Sequence, residues 1–260
     1  MSAAQSQHNS SDPSHAREVF EREGWLLVPQ LVAGETLTSL QEATAALERS
    51  ASELERDLLV RGVYFEMQTA DGSKGAAAVF PGALRKITSP SKGQTAFARL
   101  RGDPRVLAVL EHCGLTAPRC LVDQVNFKLP RVGTCFPYHQ DEHFLIGESR
   151  RRVEKFGGIN LVIALDPSDT SNGGFEVLGR THRGALTNDG YDTAVMTHDV
   201  FDETHRAVPT LLPGDAVLFH PRLAHGSQPN PSERPRRLVT LWYGGGSESA
   251  AERNTGSARS

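Results

Sequence analysis

The chain has 260 residues, 38% hydrophobic and 23% charged, the composition of an ordinary soluble globular protein long enough to bury a large core. A net charge of −3 argues against a nucleic-acid or anionic-membrane partner. Three cysteines, Cys113, Cys120 and Cys135, are too few and too irregular for a disulfide framework, and no Cys-x-x-Cys pair supports a zinc site.

Residues 1–11 are polar, lack the apolar stretch of a signal peptide and are expected to be disordered. No run reaches the ~18 apolar residues of a membrane helix, so a cytoplasmic location is expected. Asp12-Pro13 reads as a cap and first turn, Ala16, Val19 and Phe20 as one helical face, and Gly24 as the stop. A short buried strand, Trp25–Val28, comes next. A second helix is predicted over residues 35–56, with Leu37, Leu40, Ala43, Leu47, Ala51 and Leu54 at helical spacing. Residues 64–68 and 84–87 read as strands flanking an Asp71-Gly72 turn, and short helices are predicted over 94–100 and 104–113. From Cys120 onward the texture changes to strands between Gly/Pro turns, at 121–129, 158–165, 175–178, 216–219 and 238–243. That pattern predicts a mainly β protein of the α+β kind, a sandwich or barrel with the helices packed outside. Residues 12–243 are expected to form one domain, followed by a disordered tail over 244–260. The charged stretch 147–155 and the irregular connection 190–203 read as loops, the second near the mouth of the β structure.

The chemistry concentrates in two stretches, Phe136-Pro137-Tyr138-His139-Gln140-Asp141-Glu142-His143 and His220-Pro221-Arg222-Leu223-Ala224-His225-Gly226-Ser227. On an extended strand alternate side chains share a face, so His139 and Asp141 point the same way. With His225 they form two imidazoles and one carboxylate, a ligand set that suits non-haem iron(II) with open positions for an oxidant. The triplet alone is a weak signal, since about one His-x-Asp/Glu match is expected by chance in such a chain. A second strand is informative in another way. Gln124, Asn126 and Lys128 share one face and Val125, Phe127 and Leu129 the other, so the polar face meets either solvent or the interior of a ligand-holding barrel.

Several features fall in one order: Lys86, the amide-bearing strand, His139-Gln140-Asp141, Asn172-Gly173-Gly174, Pro213-Gly214-Asp215, His225-Gly226-Ser227, and Arg236 eleven residues beyond His225. This set, spanning roughly Gly24 to Tyr243, resembles the phytanoyl-CoA dioxygenase (PhyH)-like family of Fe(II)/2-oxoglutarate oxygenases. The resemblance implies a double-stranded β-helix, a cupin-like jelly roll. It implies that His139, Asp141 and His225 hold Fe(II), with 2-oxoglutarate and O2 at the remaining positions. Arg236 is expected to hold the distal carboxylate of 2-oxoglutarate through its planar guanidinium, assisted by Ser227. Phe136 is expected to pack along the cosubstrate, and Gln124, Asn126 and Lys86 to lie near cosubstrate or substrate. Because the carboxylate of Asp141 is present, where related halogenases have Gly or Ala, the implied reaction is hydroxylation begun by hydrogen abstraction. Desaturation or ring formation by the same oxidant, and a non-catalytic metal- or small-molecule-binding protein on the same scaffold, are the alternatives. The expected substrate is a small molecule, free or linked to a carrier.

Overall fold

The computed structural model describes residues 13–133, 135–183 and 203–247. In chain order, α1 (Pro13–Glu23), β1 (Trp25–Val28) and α2 (Gly34–Ser50) lead to β2 (Leu58–Val60), β3 (Val63–Met67) and β4 (Leu84–Thr88). Helices α3 (Thr95–Leu100) and α4 (Pro104–His112) precede β5 (Arg119–Lys128) and β6 (Phe136–His139). After α5 (Gly147–Phe156) come β7 (Gly158–Ala164), β8 (Glu176–Leu178), β9 (Arg206–Ala207), β10 (Ala216–Phe219), β11 (His225–Ser227) and β12 (Arg236–Gly244).

Every residue of β7 is buried, so that strand needs a packed layer on each face. The topology supplies both. One sheet runs β1-β10-β7-β12-β5-β4-β3-β2 and the other β6-β11-β8-β9, with the paired neighbours antiparallel. On the outer face of the large sheet Val125, Phe127, Leu161, Ile163, Val239 and Leu241 pack against Val19, Phe20, Leu40, Phe97, Val106 and Leu110 of the helices. On its inner face Val162, Val217, Phe219 and Leu238 meet Phe175, Val177 and Leu223. The two facing sheets form the expected jelly roll, open rather than closed, with the helices outside.

Alternation along β5 and β12 divides apolar from polar. Odd positions from Val125 and Val239 join the outer core, whereas Gln124, Asn126, Arg236 and Thr240 face inward. The polar face of β5 therefore lines the interior and not solvent.

Four expectations are corrected. Helix α2 stops at Ser50 and not Arg56, because the carbonyls of Leu54 and Glu55 accept from Gly82 (2.9 Å) and Ala78 (2.5 Å) of another segment. Strand β2 was not foreseen: all three of its residues are exposed, so no burial pattern marks it. It is set by the left-handed turn at Arg61 and Gly62, whose φ values are 49° and 83°. Residues 147–156 form helix α5 and not a loop; Val153 packs on Leu145 and Trp242, and Arg150 pairs with Glu154 across one turn. Finally, β12 runs through Gly244, and Gly245 and Gly246 are buried and bonded to the carbonyls of Gly157 and Thr116, so order extends past the expected start of the tail. The expected disordered residues 1–11, the tail from 248 and the connection 190–202 lie outside the described residues.

Candidate active site

Strand β6 ends at His139, and Asp141–Phe144 is a 3-10 turn, so the extended strand expected to carry both His139 and Asp141 stops at the first of them. Gln140 keeps extended angles (φ −113°, ψ 125°), and the alternation that puts His139 and Asp141 on one side survives for the residue that matters. The turn is latched to the segment before β11: Gln140 donates to the Arg222 carbonyl, and the Glu142 N–H to that of Pro221. Strand β11 pairs with β6 in the register His225 to His139, which brings the two imidazoles together at 4.3 Å between ring centroids. Gly226 permits this approach, since a Cβ there would sit 2.7 Å from the Phe136 carbonyl oxygen.

One ligand atom from each of His139, Asp141 and His225 lies within 4.8 Å of the others. Asp141 Oδ1 is 3.5 Å from His139 Nε2 and 3.4 Å from His225 Nε2. The remaining polar atoms are occupied in the way that metal ligation requires. His139 Nδ1 lies 2.7 Å from the Pro137 carbonyl and His225 Nδ1 2.9 Å from that of Leu223, so each Nδ1 carries the proton and each Nε2 presents a lone pair. Asp141 Oδ2 accepts from Asn160 Nδ2 at 2.7 Å, which leaves Oδ1 for the site. Burial opposes ionisation of Asp141, yet the adjacent His225 and His139 hold its carboxyl well below the usual carboxylate range. Burial and then His225 push the His139 imidazole down, while Asp141 overcomes burial and pushes His225 up. The cluster thus favours a positive charge where the three donor atoms meet. The donor set, its fixed tautomers and its supporting bonds fit a divalent ion.

The cluster opens on a cavity of about 520 Å³. Arg236, Ser227, Phe136, Gln124, Asn126 and Lys86, the other residues singled out in the sequence, all line it. Arg236 is buried, and its Nε and Nη2 donate to the Gly173 carbonyl at 3.1 and 2.6 Å. Burial lowers its guanidinium to about 9, and Asp166, the nearest opposing charge, is bound instead by Arg237 at 2.7 Å. Gly173 has φ +71°, and a Cβ there would fall 2.5 Å from the Gln228 carbonyl oxygen, so the turn that presents this carbonyl requires glycine. Asn126 donates to Thr240 Oγ1 at 2.8 Å. Lys86 is tied to Glu66 at 3.1 Å, and Arg85 shares that carboxylate while its guanidinium lies 4.2 Å over the Phe136 ring. Phe219, Phe175 and Phe144 surround the imidazoles at 4.7–5.6 Å and form an apolar wall.

Sequence reasoning missed Asn160, Thr240 and Trp242. Asn160 had a signal, the single polar side chain in the buried run of β7. Thr240 and Trp242 follow from Arg236 by alternation once β12 is known to begin there. Among the described residues the remaining histidines stand apart from the cluster, and His198 lies outside the described residues. His143 Nε2 lies 3.1 Å from Gln140 Oε1, His220 stacks near His182 at 5.4 Å, and His205 sits in the 3-10 turn before β9. His220 lies just past the end of β10 and His225 on β11, so the two do not share a strand.

Two imidazoles and a carboxylate at the mouth of a jelly roll define a mononuclear non-haem metal enzyme. Residues 20–238 match the family model "Phytanoyl-CoA dioxygenase (PhyH)", and the chain belongs to that family of Fe(II)/2-oxoglutarate oxygenases. It is 22% identical to L-proline trans-4-hydroxylase of Streptomyces griseoviridis, over 88% of this chain and 85% of that one. It is 32% identical to the rat peroxisomal phytanoyl-CoA dioxygenase over 42% of this chain, and that match spans only 33% of the rat enzyme's length. The crystal structure of EctD from S. alaskensis with 2-oxoglutarate and 5-hydroxyectoine has the same fold, with a TM-score of 0.70, 22% identity, and coverage of 92% of this chain and 80% of that one. Among the described residues no helix is long and apolar enough to cross a membrane.

Proposed function

We propose that the protein is an Fe(II)- and 2-oxoglutarate-dependent dioxygenase that hydroxylates an unactivated C–H bond of a small molecule, releasing succinate and CO2. The observation that carries this reading is the convergence of three ligand atoms beside a cavity whose wall also contains a buried arginine with no carboxylate partner among the described residues. His139, Asp141 and His225 would hold the iron, with Asn160 and the Pro137 and Leu223 carbonyls orienting them. Arg236, with Ser227 beside it, holds the distal carboxylate of 2-oxoglutarate, and the Phe136 ring packs along its chain. Gln124, Asn126 and Lys86 orient cosubstrate and substrate from β5 and β4. Bound iron and cosubstrate supply the activation of O2 and the abstraction of hydrogen. The protein fixes the target carbon and excludes water with Phe144, Phe175 and Phe219.

Anaerobic addition of Fe(II) and 2-oxoglutarate should produce a weak visible charge-transfer band. A folded protein without the band would favour the non-catalytic alternative. A metabolite screen that detects succinate together with product mass then identifies the reaction: one added oxygen atom means hydroxylation, and loss of two hydrogens means desaturation or ring closure. Arg236→Ala should chiefly weaken 2-oxoglutarate binding.

A further inference from the structure

The inner face of β5 continues past Gln124 and Asn126 to Lys128, a residue the proposed reaction leaves unused. Lys128 is 2% exposed and lies directly across from Arg236 in the β5–β12 register. Its Nζ sits 3.4 Å from the Ser227 carbonyl oxygen and 4.7 Å from the centre of the Phe136 ring. It is therefore flanked by the two residues assigned to the far carboxylate of the cosubstrate, Arg236 and Ser227, and by the Phe136 ring assigned to its chain. A buried lysine beside a buried arginine is unfavourable when both are charged, because burial raises the energy of each charge and their repulsion adds to it. The arrangement becomes favourable when an anion binds at Arg236, on the cavity side of Phe136 and Ser227.

We infer that Lys128 is a second, proton-gated cation of the carboxylate pocket, its ammonium disfavoured in the empty site and favoured, with uptake of a proton, as 2-oxoglutarate binds. The inference rests on Arg236 being the carboxylate anchor and adds a residue to that pocket. Lys128 acts as a positioning residue: it stands behind Phe136 and Ser227 and works through the field it adds to that of Arg236. Among the described residues the charged and titratable groups that act on it are Arg236 from β12, Arg85 from β4 and Cys135 from the segment before β6. Burial, then Arg236, then Arg85 lower its ammonium to about 7, with Cys135 acting the other way. Near neutral pH a modest change in local charge is thus enough to change its protonation.

The test is calorimetric titration of 2-oxoglutarate into the Mn(II)-loaded protein, without O2, in buffers of different ionisation enthalpy. Because burial and Arg236 lower the Lys128 ammonium, wild-type protein should take up proton on binding the cosubstrate, and more of it at pH 8 than at pH 6. Its Kd should rise severalfold, by up to about tenfold, between pH 7 and pH 8, the limit for one linked proton. Lys128→Met should bind more weakly with neither the uptake nor that pH dependence. Lys128→Arg should restore affinity but not proton uptake, since a guanidinium stays charged. Mn(II) binding by each variant reports that the site is folded. Wild-type proton uptake in Lys128→Met overturns the inference while leaving the pocket intact. Unchanged 2-oxoglutarate affinity in Arg236→Ala shows instead that the pocket itself was misassigned, and the role of Lys128 falls with it.

Discussion

Asn160→Ala tests whether the metal centre depends on a bond that lies outside the ligand set. Asn160 is 2% exposed and donates to Asp141 Oδ2 at 2.7 Å. Alanine removes the donor and leaves a buried carboxylate oxygen without it. A hydrogen bond to a charged group contributes about 1.5–3 kcal/mol, which corresponds to roughly 10- to 150-fold in an equilibrium constant. Part of that loss is shared by the metal-free state, where the same bond exists, so the effect on metal binding should fall near the lower half, about 10- to 50-fold. The assay is anaerobic competition for Fe(II) against a chromophoric chelator, with urea unfolding of the metal-free protein to measure the shared part. Iron affinity equal to wild type, alongside complete loss in Asp141→Ala, would refute the reasoning, because Asp141 would then be oriented without Asn160.

His225→Ala should abolish iron binding while leaving the far-UV circular dichroism spectrum unchanged; retained stoichiometric iron would remove His225 from the ligand set. Gly173→Ala forces a Cβ to 2.5 Å from the Gln228 carbonyl and strains a residue at φ +71°, displacing the oxygen that holds Arg236. It should raise the KM for 2-oxoglutarate at least tenfold (about 1.4 kcal/mol), and a wild-type KM would show that Arg236 needs no such support. Away from the site, the hydrogen bond from Arg180, opposed by burial and aided by Arg22, lowers Glu23 from 4.5 to about 2. Its stabilisation is complete above 4.5 and disappears as pH falls through about 2. Both arginines are about half exposed, so the contribution is screened to about 1–2 kcal/mol. Urea unfolding should find Glu23→Gln less stable than wild type by that amount at pH 6, with the gap closing toward pH 2; a gap constant with pH would contradict this origin.

The strands after Cys120 and the outer helices were legible in the sequence because each rests on a local rule, whereas the site residues came from the resemblance of an ordered set of motifs to one family. Period-two alternation separates Val125 and Phe127 from Gln124 and Asn126. The same alternation keeps His139 and Asp141 on one side, even though the strand itself ends between them. The failures share a cause. Helix α5 carries one buried residue, Val153, too few to show a helical stripe, and β2 has none. In both, long-range contacts and a left-handed turn do the work that an apolar pattern does elsewhere.

Residue type and order by themselves determined which donors this protein possesses and which side of each strand they occupy. Whether the amide face of β5 meets water or a ligand was left to the tertiary structure, because a strand's alternation defines two faces without saying which one another sheet will cover. Only the folded chain pairs β11 with β6 at His225 and His139, sets Asn160 behind Asp141, and lays Lys128 beside Arg236. Those placements join positions from 19 to more than 100 residues apart, and their geometry is fixed by sheet register, which no local sequence pattern encodes.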